Sequence, residues 1–230
     1  MKEIIATQTT KIKQRKKTVK TIKLILLVFI LLLLLIYLIV SLIYSNENFS
    51  ITLDENLYFD KNLIIYDDPQ YKVYRSELYA EAPEVFDNIS YKWLPENLTE
   101  TDGSHNGNNY LAYTFYVENI GDKISDYWSE ILIDDVIKNV DQVVRVRVYK
   151  NDEYVTYAKA SAFGTPEKNT VAFETEELIA RDHVERIIPG EIIKYTIVLW
   201  LEGSDPECTN NIFGGEIKIH MEFNSEFIEK

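Results

Sequence analysis

Ile192–Leu201, IIKYTIVLWL, holds the fold in ten residues: nine are uncharged, and apolar side chains occupy both alternating positions. A strand with one wet face alternates apolar and polar, so a run apolar on both faces predicts a central strand covered on both sides. Its neighbours in the sequence follow the simpler rule. In Tyr110–Glu118 (YLAYTFYVE), Leu111, Tyr113, Phe115 and Val117 share one face. In Val143–Tyr149 (VVRVRVY), Val144, Val146 and Val148 oppose Arg145 and Arg147. Near the end, Ile217, Ile219, Met221 and Phe223 point one way, and Glu216, Lys218, His220 and Glu222 the other. This period of two is the mark of half-buried strands.

Turn residues punctuate the runs. Asn119-Ile-Gly121, Gly164-Thr-Pro166, Pro189-Gly190 and Gly214-Gly215 suit tight or left-handed backbone, and Asn151-Asp152 between RVRVYK and EYVTYAK predicts a hairpin. Helical signals are few: Asp135–Gln142 is expected to make two turns, and Asp205-Pro206 to start a short helix through Asn211. The expected fold is therefore mainly β, an antiparallel β-sandwich spanning 102–226. Residues 51–101 read as an N-terminal extension with short strands at Leu57–Phe59, Leu63–Tyr66, Tyr71–Tyr74 and Ser90–Leu94.

Ahead of this body lies Leu24–Tyr44, LILLVFILLLLLIYLIVSLIY, in which only Ser41 is clearly polar. As a helix it spans roughly 31 Å, the thickness of a bilayer's hydrocarbon core. A signal peptide has a shorter apolar region and a small-residue cleavage site; here Ile43 and Ser45 make only a poor one, so an uncleaved transmembrane signal anchor is the expectation. Residues 1–23 carry eight Lys/Arg and one acid, whereas the other 207 residues carry 16 basic and 36 acidic side chains, a net of −20. By the positive-inside rule, Arg15, Lys16, Lys17, Lys20 and Lys23 set a cytoplasmic N-terminus. They also suit the tail to anionic membrane lipid. Residues 45–50 read as a tether, and residues 45–230 as extracellular. So acidic a body excludes nucleic acid as a partner, because phosphates must be neutralised by cations.

The C-terminal half resembles a known family. Residues 102–119 (DGSHNGNNYLAYTFYVEN), 145–150 (RVRVYK) and 199–223 (LWLEGSDPECTNNIFGGEIKIHMEF) are similar to the TasA/camelysin-type cell-surface proteins of Gram-positive bacteria. The specific part is Trp200, Glu202 and Gly203, then Asp205, Pro206 and Cys208, then Gly214 and Gly215. The resemblance implies a jelly-roll-like sandwich displayed outside the cell. Some relatives build matrix fibres and others are catalogued as metallopeptidases. Those relatives typically carry a cleavable signal peptide, where this chain is expected to keep its membrane helix.

Motifs for chemistry are scarce. A common zinc peptidase needs H-E-x-x-H, and the three histidines, His105, His183 and His220, are scattered, with His220 expected on a solvent face. There is no G-x-S-x-G elbow and no P-loop. The single cysteine, Cys208, excludes an internal disulfide and any Cys-based zinc cluster and is expected to be inert. No cofactor is expected. Asp102–Asn108 offers alternating oxygen donors of the kind calcium takes, but Tyr113 stands where an EF-hand has its Glu. The expected function is a non-enzymatic surface structural, adhesion or matrix-anchoring protein that associates with itself or another sandwich by strand edges. A surface metallopeptidase and an extracellular binding or sensing module are the alternatives.

Overall fold

The computed structural model describes residues 2–44, 49–80 and 86–226, with side chains for 19–40, 49–80 and 86–226. The chain divides into two compact units, Met1–Asn46 and Glu47–Lys230. The first is helix α1, Lys2–Tyr44. Within it Val19–Val40 is long and apolar enough to cross a membrane, a test that an N-terminal signal sequence also meets, and none of it is buried. Lys20 and Lys23 lie exposed in this helix; the side chains of Arg15, Lys16 and Lys17 fall outside the described set. So do residues 45–48 of the expected tether, while Phe49 and Ser50 already belong to the first strand.

The second unit contains β1 (Phe49–Leu53), α2 (Glu55–Phe59), β2 (Leu63–Tyr66), β3 (Glu77–Ala80), β4 (Gly103–Ser104), β5 (Tyr110–Asn119) and β6 (Ser125–Ile137). It continues with β7 (Val144–Lys150), β8 (Glu153–Ala158), β9 (Val171–Ala172), β10 (Leu178–Ile187), β11 (Ile192–Leu201) and β12 (Glu216–Asn224). These form two sheets, ordered β10-β6-β12-β1-β3 and β2-β5-β11-β7-β8-β9, with β4 on β5. The mainly β sandwich is thus present. Its pairing is not purely antiparallel, because β1 runs parallel to β12 and β9 parallel to β8. Strand period sets which face is buried and says nothing of direction, so both parallel pairs were invisible in the sequence.

Between the sheets, Phe49, Ile51, Ile131, Ile219, Met221 and Phe223 of the first meet Phe115, Val117, Val146, Ile193, Tyr195 and Ile197 of the second. The Tyr127 and Tyr195 hydroxyls bond across the gap at 2.8 Å, which satisfies two polar atoms buried among rings. Burial of that pair pushes the Tyr127 phenol well above its ordinary range. β11 is central, as its two apolar faces require, lying between β5 and β7. Its second face is covered by a smaller cluster in which Ile89, Leu94 and Leu98 pack on Ala112, Val198 and Trp200.

Several expected elements differ. Leu57–Phe59 belongs to the short α2, started by the Asp54 carboxylate accepting from the Asn56 amide. Ser90–Leu94 contains a 3-10 turn over Tyr91–Trp93, and Tyr71–Tyr74 is irregular. Asp135–Gln142 is not a helix. β6 continues to Ile137, and Lys138 and Asn139 turn at φ 58° and 55° before a 3-10 turn over Val140–Gln142. Val136 pairs with Ile217 there, so sheet pairing overrides a weak helical spacing. The helix expected from Asp205 is a chain of turns ending in a 3-10 turn over Asn210–Ile212. The Asn151-Asp152 hairpin forms as expected, with Asn151 at φ 55°.

Candidate functional site

The site grows from β7. Val144 and Val146 are buried toward the inter-sheet side, so the alternate residues Arg145 and Arg147 stand on the outer face of the second sheet. The registers place Arg145 opposite Trp200 of β11 and Ala158 of β8, and Arg147 opposite Val198 and Thr156.

The two arginines meet different fates. Arg145 and Asp205 form an ion pair with side chains only 5% and 0% exposed. Asp205 also accepts from the Glu207 amide at 2.9 Å. Burial pushes its carboxyl up, but the hydrogen bonds from Glu207 and Arg145 outweigh burial and hold it below the ordinary carboxylate range. Glu207, through its hydrogen bond with Asp205, is held above its own. Arg147 has no carboxylate within ion-pairing distance among the described residues. It donates from Nε to Thr156 Oγ1 at 2.9 Å and from Nη1 to the Tyr149 hydroxyl at 3.4 Å. Its guanidinium carbon lies 4.6 Å from the Tyr154 ring centre and 5.1 Å from that of Trp200, within cation–π range.

Glu202 ties the outer cover to this face. Its carboxylate accepts from Trp200 Nε1 at 3.0 Å, the Tyr91 amide at 3.0 Å and Ser204 Oγ at 2.6 Å. Those donors overcome the burial that pushes its carboxyl up, and the net shift is downward. The cover is also pinned by His105, whose Nε2 is 2.8 Å from the Leu98 carbonyl and whose Nδ1 is 2.9 Å from that of Gly103. Two hollows, of about 520 and 350 Å³, flank Arg147, and Tyr91 and Tyr154 border both.

Of the residues singled out in the sequence, Trp200, Glu202 and Asp205 converge here. Gly203 has an Asn88 side-chain oxygen 2.5 Å from where its Cβ would sit, so any larger residue would displace Asn88. Pro206 is exposed in the turn after Asp205. Cys208 is half-buried; burial and the Asp205, Asp87 and Glu202 carboxylates push its thiol up, away from the nucleophilic thiolate. Gly214 and Gly215 lead into β12. A Cβ on Gly215 would stand 2.3 Å from Val140 Cγ2 and 2.7 Å from the Ile137 carbonyl.

The histidines go to different places. His105 is in the loop before β5. His183 on β10 stacks on Trp128 with ring centres 4.2 Å apart. His220 on β12, expected on a solvent face, is half-buried between Asp134 at 2.8 Å and Glu222 at 3.7 Å. Asp102 of the candidate calcium loop accepts from the Tyr116 hydroxyl. Among the described residues, Glu167, Asp205 and Glu207 can bring ligand atoms within 4.8 Å of one another. Asp205 is already neutralised by Arg145, and this trio contains no histidine.

The sequence reading missed Arg147, Tyr154 and Tyr91 as site residues. The available signal was RVRVYK itself, where two adjacent outward arginines sit on a strand whose body carries 36 acids.

No family model and no curated protein matches the chain. Among solved structures, a β-glucosidase from Kluyveromyces marxianus in complex with glucose is similar at 12% identity and a TM-score of 0.25, over 73% of this chain and 15% of that one. A selenomethionine-labelled structure of that enzyme is similar at 11% identity and a TM-score of 0.24, over 53% of this chain and 12% of that one. The chain therefore spans about 15% of the length of the β-glucosidase it matches.

Proposed function

We propose that this is a non-enzymatic, single-pass membrane protein with a cytoplasmic N-terminus and an extracellular β-sandwich. It acts in surface structure, adhesion or matrix anchoring through strand-edge association with a second copy or another sandwich. The observation that carries the reading is the edge of β8. β9 pairs only with Tyr157 and Ala158, which leaves Glu153, Tyr154 and Val155 exposed. In a two-residue hairpin closed by Lys150 and Glu153, the backbone groups of Tyr154 turn away from β7. An uncovered edge of that kind is a template for another strand. Among the other edge strands, β10 is longer but carries Arg181, Asp182, His183, Glu185 and Arg186 and is broken by register shifts, the features that block edge pairing, and β2 and β3 are only four residues each.

The basic segment ahead of the apolar helix supports the orientation and an affinity for anionic lipid. The test uses the full chain in proteoliposomes. Association measured by energy transfer between labelled copies should rise with salt, because a body of net −20 repels itself and salt screens that repulsion. Val155→Lys should reduce it. A protein monomeric at every salt and calcium concentration refutes strand-edge association. For orientation, Glu226→Cys in a Cys208→Ala background should react with a membrane-impermeant maleimide on intact cells; absence of labelling refutes the outward placement.

A further inference from the structure

We propose that the hollows around Arg147 form a binding site for an acidic saccharide, a glycan bearing a uronate carboxylate. This goes beyond strand-edge association: it uses side chains on the outer face of the sheet, where that reading uses the backbone edge of β8, and the two share Tyr154.

Arg147 is partly shielded from water, yet only two of its five N–H groups find acceptors among the described residues. No carboxylate pairs with it among the described residues, whereas Arg145, two residues away on the same face, is paired and buried. Holding an unpaired guanidinium against three rings in an otherwise acidic body costs solvation that an anion would return. Arg147 also borders both hollows. Lys92 stands at one hollow and Lys168 at the other, and both add positive potential.

The rest of the lining selects among anions. Tyr91 and Tyr154, 42% and 57% exposed, border both hollows, and an exposed aromatic ring is a platform on which the apolar face of a pyranose packs. Glu96, Asp152 and Asn151 line the larger hollow and can accept hydrogen bonds from ligand hydroxyls. A bare anion would be repelled by Glu96 and Asp152, and a phosphate or a peptide carboxylate brings few hydroxyl donors to them. A uronate sugar supplies one carboxylate for Arg147 and several hydroxyls for the acids.

The test is titration of the full chain in detergent micelles with tri-galacturonate, read by calorimetry and by tryptophan fluorescence, to which Trp93, Trp128 and Trp200 contribute. Saturable binding is expected. Arg147→Lys keeps the charge but loses the planar fork and the stacking, and should weaken affinity about tenfold. Tyr154→Leu, at an exposed position that tolerates change, should weaken it about five- to tenfold. Near-ultraviolet circular dichroism confirms that both variants remain folded. Neutral cellotriose should bind at least about tenfold more weakly than the uronate. The proposal is overturned by an absence of binding at millimolar tri-galacturonate, by equal affinity for cellotriose, or by variants that bind as the unaltered chain does. Equal binding of acetate or inorganic phosphate would also overturn it, as would preference for a peptide with a free C-terminal carboxylate, which would mark a protein partner instead. Val155→Lys, which lies outside the hollows, should leave saccharide affinity unchanged, so failure of strand-edge association and failure of this site are read separately.

Discussion

Breaking the Arg145–Asp205 pair from one side should be among the most damaging single changes in the sandwich. Both side chains are almost fully removed from water, at 5% and 0% exposure. Asp205→Asn leaves a buried guanidinium without its counter-charge, and Arg145→Met leaves a buried carboxylate. The cost of stranding one charge of such a pair is about 3–5 kcal/mol. For a domain of this size, each kcal/mol corresponds to about 2–4 °C in melting temperature, so each single variant should melt about 6–20 °C lower. Replacing both residues with apolar ones, Arg145→Met with Asp205→Leu, removes both stranded charges and should cost less than the two single changes added together. The assay is thermal and urea unfolding of the full chain in detergent micelles, followed by near-ultraviolet circular dichroism. A pH series supplies the sign. The Asp205 carboxyl is held below its ordinary value in the fold, so its stabilisation is complete above the unfolded value near 3.9 and is lost as pH falls through the folded one. Asp205's own share of the gap between the unaltered chain and Asp205→Asn should therefore be full above about pH 5 and close in stronger acid. Single variants costing under about 1 kcal/mol, or a double variant as costly as the sum, would refute the reasoning.

Two other expectations concern the opposite sheet and the outer cover. His220 is held above its ordinary value by the Glu222 carboxylate, against burial and with help from Asp134. Its stabilisation is therefore full below about pH 6.5 and fades as pH rises through the folded value, so the urea midpoint should fall from pH 5.5 to 8 more in the unaltered chain than in His220→Gln. Leu98→Ala, at a position 3% exposed in the smaller cluster, should cost about 2–5 kcal/mol in urea unfolding and red-shift Trp200 emission as water reaches the uncovered face; a loss under about 1 kcal/mol would mean that the cover does not hold that face closed.

How far the sequence could be read depended on the range of the interactions involved. The alternation in Tyr110–Glu118, Val143–Tyr149 and Ile217–Phe223 reports which side chains face the core, and those strands formed with the expected faces inward. Asn151-Asp152 marked its hairpin because a left-handed turn is a local demand. Asp135–Gln142 misled because a helical spacing of Val136 and Val140 competes with a partner strand about 80 residues later. Residues 51–101 read as an extension because their strands are short. In the fold β1 lies inside a sheet between β12 and β3, and the stretch around Ile89–Leu98 closes the outer face of the other sheet. Trp200, Glu202 and Asp205 were visible as a motif, whereas Arg147 was visible only as the polar half of an alternating strand.

The sequence by itself determined the division into a basic segment, an apolar helix and an acidic β body. It also determined the buried faces of the long strands and the central place of Ile192–Leu201, since composition and period act through burial, which each residue carries alone. The tertiary structure decided which strands are neighbours, that two pairs run parallel, and that Arg145 is neutralised by Asp205 while Arg147, beside Tyr154 and Trp200, has no carboxylate partner among the described residues. Those outcomes depend on pairs of residues distant in the chain, and the energy of a pair exists only once folding has brought its members together.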